Sequence, residues 1–533
     1  MQPPRGHHNH ARALHAATFL LVLLFILIQV VRSRQGGYEV IDTDPLVPLV
    51  KPGGGGKTAE HGTNHHHLRV LAERNNLTHT ISWVSHRIKA VPTAAERLPV
   101  THTKQGLAEN GFRNLRWDDE NSGPETGGGA ASALPVPKSP RPAAVDASSL
   151  LFGVSTSYDR LTYDGDSLIR DWQRWLTDGR GAPNGATIVV TLHQATSRQA
   201  WEIYQKLQDA GIDATVVPLG ANSDDTAGYL DMVRVLLDVN EALAEQGQPK
   251  QYLGLVDEDI FFPTPGQLVS RLSKFDASSP YYLGLPSERP DWFAENDTAV
   301  THGGGAVFFT PPAALIVSHL PCRPQGGFAG NHTRWDGVLH ECVRNHTDLP
   351  FHVLPSFYSP TDALYAMQAS AYDLGVSPLT LRHSVSRHGL NAGRAHLVTS
   401  VCGEACFLQR FQFGGSWVLV NGYSITHYGD GLDIVPMTSD AELLGPMQYG
   451  LEAEMPLGEG IVLDGAEEKE VVTWKGMRNV WRFLDAVVVG ERGEVWQAYV
   501  KRRGTSGFMQ GEVDDEDGDG DHLDSVIVLV WET

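Results

Sequence analysis

Apolar and polar positions change their spacing several times along this 533-residue chain, and each change marks a stretch of different character. Between residues 149 and 260, short apolar runs take turns with helical periodicity. LLFGVST (150–156) and ATIVVTLH (186–193) read as buried strands bounded by turn residues. Between them Leu168, Trp172, Trp175 and Leu176 recur at the three- and four-residue spacing of one helix face. Trp201, Tyr204 and Leu207 repeat that spacing in a helix that starts near Ser197 and stops at Gly211. IDATVVPL follows as a strand, a third helix covers roughly 229–244, and QYLGLV is the next strand. This order predicts an α/β fold with a mixed, mostly parallel sheet and helices on both faces. Ligands of such sheets bind beyond the carboxyl ends of the strands.

Outside that region the pattern differs. From 437 to 533 the apolar runs EVVTW, AVVVG, EVWQAYVKR and SVIVLVW are short and alternate, which predicts an acidic, β-rich C-terminal extension. From 35 to 148 Gly, Pro, His and Ser dominate, with GGGG at 53–56 and PVPKSPRPAA at 135–144. Such a stretch buries too little apolar surface to offset its ordering entropy, so a flexible stem is expected. Before it, AATFLLVLLFILIQVV (16–31) approaches the length of a bilayer span and is followed by Arg32, Ser33 and Arg34, which offer no small-residue cleavage site. The resulting layout is a cytoplasmic tail over 1–15, a signal-anchor over 16–34, the stem, a catalytic domain over 149–436 and the extension.

Composition narrows the function classes. Hydrophobic residues make up 41% of the chain, enough for a sizeable core, and the net charge of −21 disfavours a nucleic-acid partner. In the acidic run near the C-terminus, Asp515, Asp517, Asp519 and Gly520 fit the first half of an EF-hand, but Val526 stands at the twelfth position, which favours a solvated loop. Sequons at Asn76, Asn296, Asn331 and Asn345 suit a glycosylating compartment. Cys322, Cys342, Cys402 and Cys406 allow three disulfide connectivities, of which Cys322 with Cys342 and Cys402 with Cys406 is the expected one.

The candidate chemistry begins at GLVDEDIFF (254–262), where Asp257, Glu258 and Asp259 follow a buried strand. Three adjacent carboxylates repel one another unless a cation is present or they face different surroundings. Mg²⁺ or Mn²⁺, which take hard oxygen ligands, would answer that conflict. Alternation puts Asp257 and Asp259 on one side and Glu258 on the other. In HGGGAVFFT (302–310), Gly303, Gly304 and Gly305 allow a ligand to approach the backbone. RWDGVLHECV (334–343) sets Asp336 at a helix start, as an N-cap or a general base. SPLTLRHSVSRHG (377–389) carries His383 and His388 just after an apolar run.

Taken together, VDEDIFF, GGGAVFF, the Asp336 segment ending in Cys342, LPSFY, LTLRHSVSRH, CGEACFLQRF and WVLVNGYSI resemble fungal members of the fringe-like β1,3-glycosyltransferases, glycosyltransferase family 31. The resemblance covers roughly 150–436. It implies a GT-A-type fold, an inverting, metal-dependent hexosyltransferase with a UDP-sugar donor, a glycan or glycoprotein acceptor and Mn²⁺ or Mg²⁺, and a single-pass type II Golgi membrane protein with a luminal catalytic domain. Residue by residue, Asp259 and His383 would hold the metal, Asp257 and Glu258 would lie against the donor, and Gly303, Gly304 and Gly305 would line the sugar site. Asp336 would be the base. Three departures stand out. Glu258 replaces the usual middle aspartate. Arg382, His383 and Ser384 stand where relatives often read His-His-Trp, so His388 is the other candidate for the metal histidine. Gly337 stands where an acid is common. Glu258 and the altered histidine segment motivate the alternative, a catalytically silent, glycan-binding or chaperone-like relative, and the transferase is the leading reading. A metal phosphohydrolase is disfavoured because no second carboxylate cluster is evident.

Overall fold

A computed structural model describes residues 67–93, 97–98, 100–109, 111–118, 131–219, 225–285, 306–322, 335–354, 378–382, 389–429, 431–436, 461–463, 470–474, 478–489, 493–504 and 522–532. Most of its strands fall into two large sheets.

The first sheet has eight strands, in the order Ile461–Leu463, Phe351–Val353, Tyr282–Leu285, Ala306–Phe309, Tyr252–Val256, Leu150–Ser157, Thr187–His193 and Ala214–Pro218. Ala306–Phe309 runs antiparallel to both of its neighbours, and the other adjacent pairs are parallel. Side-chain alternation explains why these strands read as unbroken apolar runs: both faces are covered. Phe152, Val154, Ile188 and Val190 belong to the cluster that includes Trp172 and Trp175 of helix Ser167–Leu176 and Ile203 and Leu207 of helix Ser197–Asp209. Leu151, Val189, Leu253 and Val307 belong to the opposite cluster, with Met232 and Leu236 of helix Asp225–Glu245 and Leu339 and Val343 of helix Trp335–His346. The helix over 197–209 opens with a capping box between Thr196 and Gln199, and Gly211 follows it at φ +75°, a conformation that costs a glycine little. This is the mixed, mostly parallel α/β architecture expected from the sequence.

The second sheet has ten strands. Its main path is Thr101–Gly106, Arg410–Gly414, Trp417–Val420, Ser424–Tyr428, Arg478–Val489, Glu494–Lys501, Asp524–Glu532, Thr80–Thr93 and Arg113–Arg116, and Ser132–Pro137 also pairs with Thr80–Thr93. Two boundaries expected from the sequence are corrected here. The flexible stem expected over 35–148 contains four strands of this sheet after residue 80. The expected extension over 437–533 is not a separate appendage: its strands pair with 80–93 and 424–428, while Ile461–Leu463 joins the first sheet. The physical reason is long-range pairing. Thr80–Thr93 lies parallel to Asp524–Glu532 from Ile81 opposite Asp524 to Lys89 opposite Glu532, so each half of the pair looks isolated until the other is present.

The structure bridges Cys322 with Cys342 and Cys402 with Cys406, as expected. Asn76 is exposed at a turn with φ +49°, and Asn345 is exposed in helix Trp335–His346. Asn296 and Asn331, the acidic run 514–521, and the apolar run 16–31 with its flanks lie outside the described residues. Among the described residues no helix is long and apolar enough to cross a membrane.

Candidate functional site

The triplet sits where the sequence places it, at the carboxyl end of the Tyr252–Val256 strand, which runs between Leu150–Ser157 and Ala306–Phe309. The chain then turns: the Ile260 N–H donates to the Asp257 carbonyl at 3.2 Å, and the two-residue strand Ile260–Phe261 begins. That short strand pairs antiparallel with Leu381–Arg382, Ile260 lying opposite Arg382. A backbone ladder therefore carries the Arg382 side chain to the triplet.

The three carboxylates separate into two environments. Asp257 and Asp259 converge on Arg382: Nη2 of the arginine pairs with Oδ2 of Asp257, and Nε lies 3.4 Å from Oδ1 of Asp259. All three side chains are largely buried, between 11% and 15% exposed, which matters because such ion pairs are weakly screened. Glu258 faces away from them. Its carboxylate accepts from the Thr156 hydroxyl and from Arg160 Nε at 2.6 Å, and its carbonyl accepts from the Trp172 indole at 3.0 Å. The expected division of the triplet is thus observed, and the cations that relieve its repulsion are two arginines of the chain itself.

A stack of aromatic groups supports Asp257 from the other side. Tyr229 donates through its hydroxyl to the Val256 carbonyl at 2.8 Å and stacks on Trp335, with ring centroids 4.3 Å apart and planes 15° from parallel. The Trp335 indole N–H donates to Oδ1 of Asp257. Both carboxylate oxygens of Asp257 are therefore held, one by an indole and one by a guanidinium. A carboxylate and a guanidinium about 4 Å apart attract by roughly 4 kcal/mol at an effective dielectric of about 20, most of which is offset by desolvation. The consequence is asymmetric. Removing Arg382 takes the shared cation from two largely buried carboxylates, at a cost of about 3–5 kcal/mol.

Asp336 begins the same helix as Trp335 but is turned inward. It is 2% exposed, and its Oδ1 accepts from the Gly337 N–H at 3.0 Å. Burial is the main cause that pushes the Tyr282 hydroxyl well above the ordinary tyrosine range, and the negative charge of Asp336 adds to it. The Cys322–Cys342 bridge ties this helix to the segment after helix Pro311–Ser318. Gly303, Gly304, Gly305, His383 and His388 lie outside the described residues.

Thr156, Arg160, Trp172, Tyr229, Trp335 and Arg382 surround the triplet among the described residues; the sequence places Trp172 on a helix face and Arg382 beside His383, and marks none of the six as a partner of the triplet. A nearby buried network also went unread: Ser155 Oγ lies 2.8 Å from His193 Nε2 and accepts from the Thr191 hydroxyl at 2.9 Å. Gly228 allows this packing, since a Cβ there would collide with both Ser155 Oγ and the His193 ring. The signal for Trp335 and Arg382 was their position beside Asp336 and His383, but adjacency gave no indication that they point at the triplet.

A divalent ion needs several oxygen or imidazole ligands with lone pairs directed at one point. Asp257 and Asp259 are of the right chemical type, yet both are already closed on Arg382. Among the described residues no group of three or more His, Cys, Asp and Glu side chains could hold a metal. The described residues, in this arrangement, do not fit the ion that the resemblance implies.

No protein-family model matches the chain, and no curated protein matches it. Solved structures similar to part of it include a glycosyltransferase involved in glycosylation of the major capsid of PBCV-1, at 11% identity over 46% of this chain and 97% of that one, with a TM-score of 0.26. Another is the glycosyltransferase GlyE of Streptococcus pneumoniae TIGR4, at 13% identity and a TM-score of 0.28. It matches over 46% of this chain and 55% of its own, so the likeness spans about half of that protein. A third is mouse xyloside xylosyltransferase 1, at 10% identity over 44% of this chain and 98% of that one, with a TM-score of 0.23. At TM-scores this low the likenesses carry no argument, and the fold class rests on the sheet itself.

Proposed function

We propose that the chain is a GT-A-type glycosyltransferase that moves a sugar from a nucleotide-sugar donor to a hydroxyl acceptor at the carboxyl end of the first sheet. The observation that carries this reading is the placement of Asp257, Glu258 and Asp259 at the end of a buried strand inside a mostly parallel sheet, with each acid held by named partners. Surface turns do not receive such support. In finer detail, the reading is an inverting UDP-sugar transfer to a glycan or glycoprotein, forming a β1,3 linkage. Asp336 takes the proton of the acceptor hydroxyl, the new glycosidic bond forms at the anomeric carbon, and the bond to the diphosphate breaks on the opposite face. Arg160 and Arg382, which pair with the acids of the triplet, are the cations this reading assigns to the diphosphate. The apolar run 16–31 and the sequons support a luminal enzyme anchored in the Golgi membrane.

A second reading, a catalytically silent glycan-binding relative, is favoured by one observation: Asp336 is almost fully buried, whereas a base must reach its substrate. The two readings separate in one experiment. A panel of UDP-sugars is incubated with the luminal portion, and UDP release is followed with and without simple sugar acceptors. Transfer predicts release that depends on one donor and disappears in Asp259→Ala. Saturable UDP binding with no release across the panel supports the silent relative, and neither binding nor release removes both.

A further inference from the structure

We infer that Arg382 is the resident cation of the carboxylate pair, and that a divalent metal ion competes with its guanidinium for Asp257 and Asp259. This inference deepens the proposed donor site and rests on that reading only for its biological setting.

Three features carry it. First, one guanidinium contacts both acids: Nη2 is paired with Asp257 and Nε lies 3.4 Å from Asp259. These are the two carboxylates of the triplet that face one point, since Glu258 is engaged by Thr156 and Arg160. Second, Arg382 is delivered by backbone pairing. Ile260 opposite Arg382 and Phe261 opposite Leu381 fix its origin beside the turn that carries the acids, so its approach is not a chance excursion of a long side chain. Third, Asp257 cannot swing to a new position without leaving Trp335, whose ring is stacked on Tyr229. The carboxylates are therefore presented to one cation at one place.

A guanidinium and a metal ion make different demands on that place. Arginine brings one delocalised charge and donates hydrogen bonds to carboxylate oxygens, whereas a metal ion takes lone pairs from the same oxygens. With both present, three positive charges would face two carboxylates in a largely buried site. With the metal alone, Arg382 would lose its pairing with Asp257 and Asp259 in a largely buried site, which is unfavourable. Either way the arginine opposes the ion. Removing its charge should then turn a poor metal site into a good one.

The test is direct Mn²⁺ binding, followed by the loss of the free-ion electron paramagnetic resonance signal, on wild-type protein and on Arg382→Gln. The expected result is weak binding by the wild type and binding at least about ten-fold tighter by Arg382→Gln, with the gain cancelled in the double variant that adds Asp259→Asn. Arg382→Lys keeps the charge but loses the fork, and its affinity should fall between the two. That variant, together with wild-type binding, decides the matter if Arg382→Gln does not fold without added Mn²⁺. Wild-type binding as tight as that of Arg382→Gln, or tighter than that of Arg382→Lys, would overturn the inference. UDP binding is measured separately on the same samples. Its absence under every cation condition would remove the transferase reading and leave the competition result standing.

Discussion

The two sheets are built by opposite means, and the contrast explains why the candidate chemistry lies in one of them. In the first, neighbouring strands are joined by helical crossovers, so most strands point the same way and several carboxyl ends gather along one edge. Thr156, His193 and the Asp257 turn all lie at such ends, where loops are free to carry charge. In the second, consecutive strands such as Arg410–Gly414, Trp417–Val420 and Ser424–Tyr428 are antiparallel neighbours, so no edge collects strand ends of one polarity. Some of its interior polar groups pair with one another: the Trp531 indole donates to Gln497 Oε1 at 2.7 Å, and the Tyr499 hydroxyl accepts from the Gly422 N–H at 2.9 Å.

The largest effect that tests this contrast comes from ending the chain at residue 521. Asp524–Glu532 lies between Glu494–Lys501 and Thr80–Thr93 and pairs with both. Its removal should abolish soluble folded protein, seen as loss of a cooperative thermal transition by circular dichroism. A truncated chain that keeps the wild-type transition would make the second sheet a dispensable appendage after all.

Next in size are two tryptophan truncations. Trp531 is fully buried in the second sheet, and Trp172 is 1% exposed beneath the first. Each change to Ala should cost about 3–5 kcal/mol in denaturant unfolding. Trp172→Ala should also weaken UDP binding, because its indole holds the Glu258 carbonyl, whereas Trp531→Ala should not. Equal effects on UDP binding would erase the division of labour.

A smaller effect concerns the seam between the sheets. Glu404 is 3% exposed and accepts from the Gly266 N–H at 3.1 Å on each oxygen. Burial pushes its carboxyl up to about 7, against the opposing pull of the Gly266 and Gln267 N–H groups. The folded state thus binds this proton more tightly than the unfolded state. The associated stability is present below the ordinary glutamate value and declines as pH rises towards 7. Relative to Glu404→Gln, the wild type should lose on the order of 3 kcal/mol between about pH 4 and pH 8 in urea titrations. A difference that is flat or rises with pH would contradict the burial argument.

The smallest effect is expected for Arg160→Ala. Its ion pair with Glu258 is 44% exposed on the arginine side, so the change should cost no more than about 1 kcal/mol. The same substitution in a buried pair, Arg382→Ala, should cost several times more.

The first sheet was legible in the sequence because its signals are local. LLFGVST, ATIVVTLH and the Trp172–Trp175 helix face can each be recognised within a dozen residues, and their order sets the topology. The position of the triplet at a strand end followed from the same runs. The second sheet was not legible, because its pairings are distant. The alternation in TISWVSHRIKAVPT is visible once sought, but it sits among Gly-, Pro- and His-rich segments and finds its partner at the far end of the chain. The site was half legible for a related reason. Charge repulsion in the triplet demanded a cation, and sequence spacing gave no means of telling an ion in solution from Arg382, more than a hundred positions away and delivered by a two-residue ladder.

The central claim is that the carboxyl end of the first sheet binds a nucleotide diphosphate sugar, with Asp257, held by Arg382 and Trp335, accepting from hydroxyls of the ribose or sugar. Isothermal titration of UDP into wild-type protein, Asp257→Asn and Trp531→Ala tests it most directly. The account predicts saturable binding by the wild type and by Trp531→Ala, and a loss of at least about ten-fold in Asp257→Asn under conditions where that variant remains folded. Unchanged binding in folded Asp257→Asn, or no binding by the wild type, would contradict it.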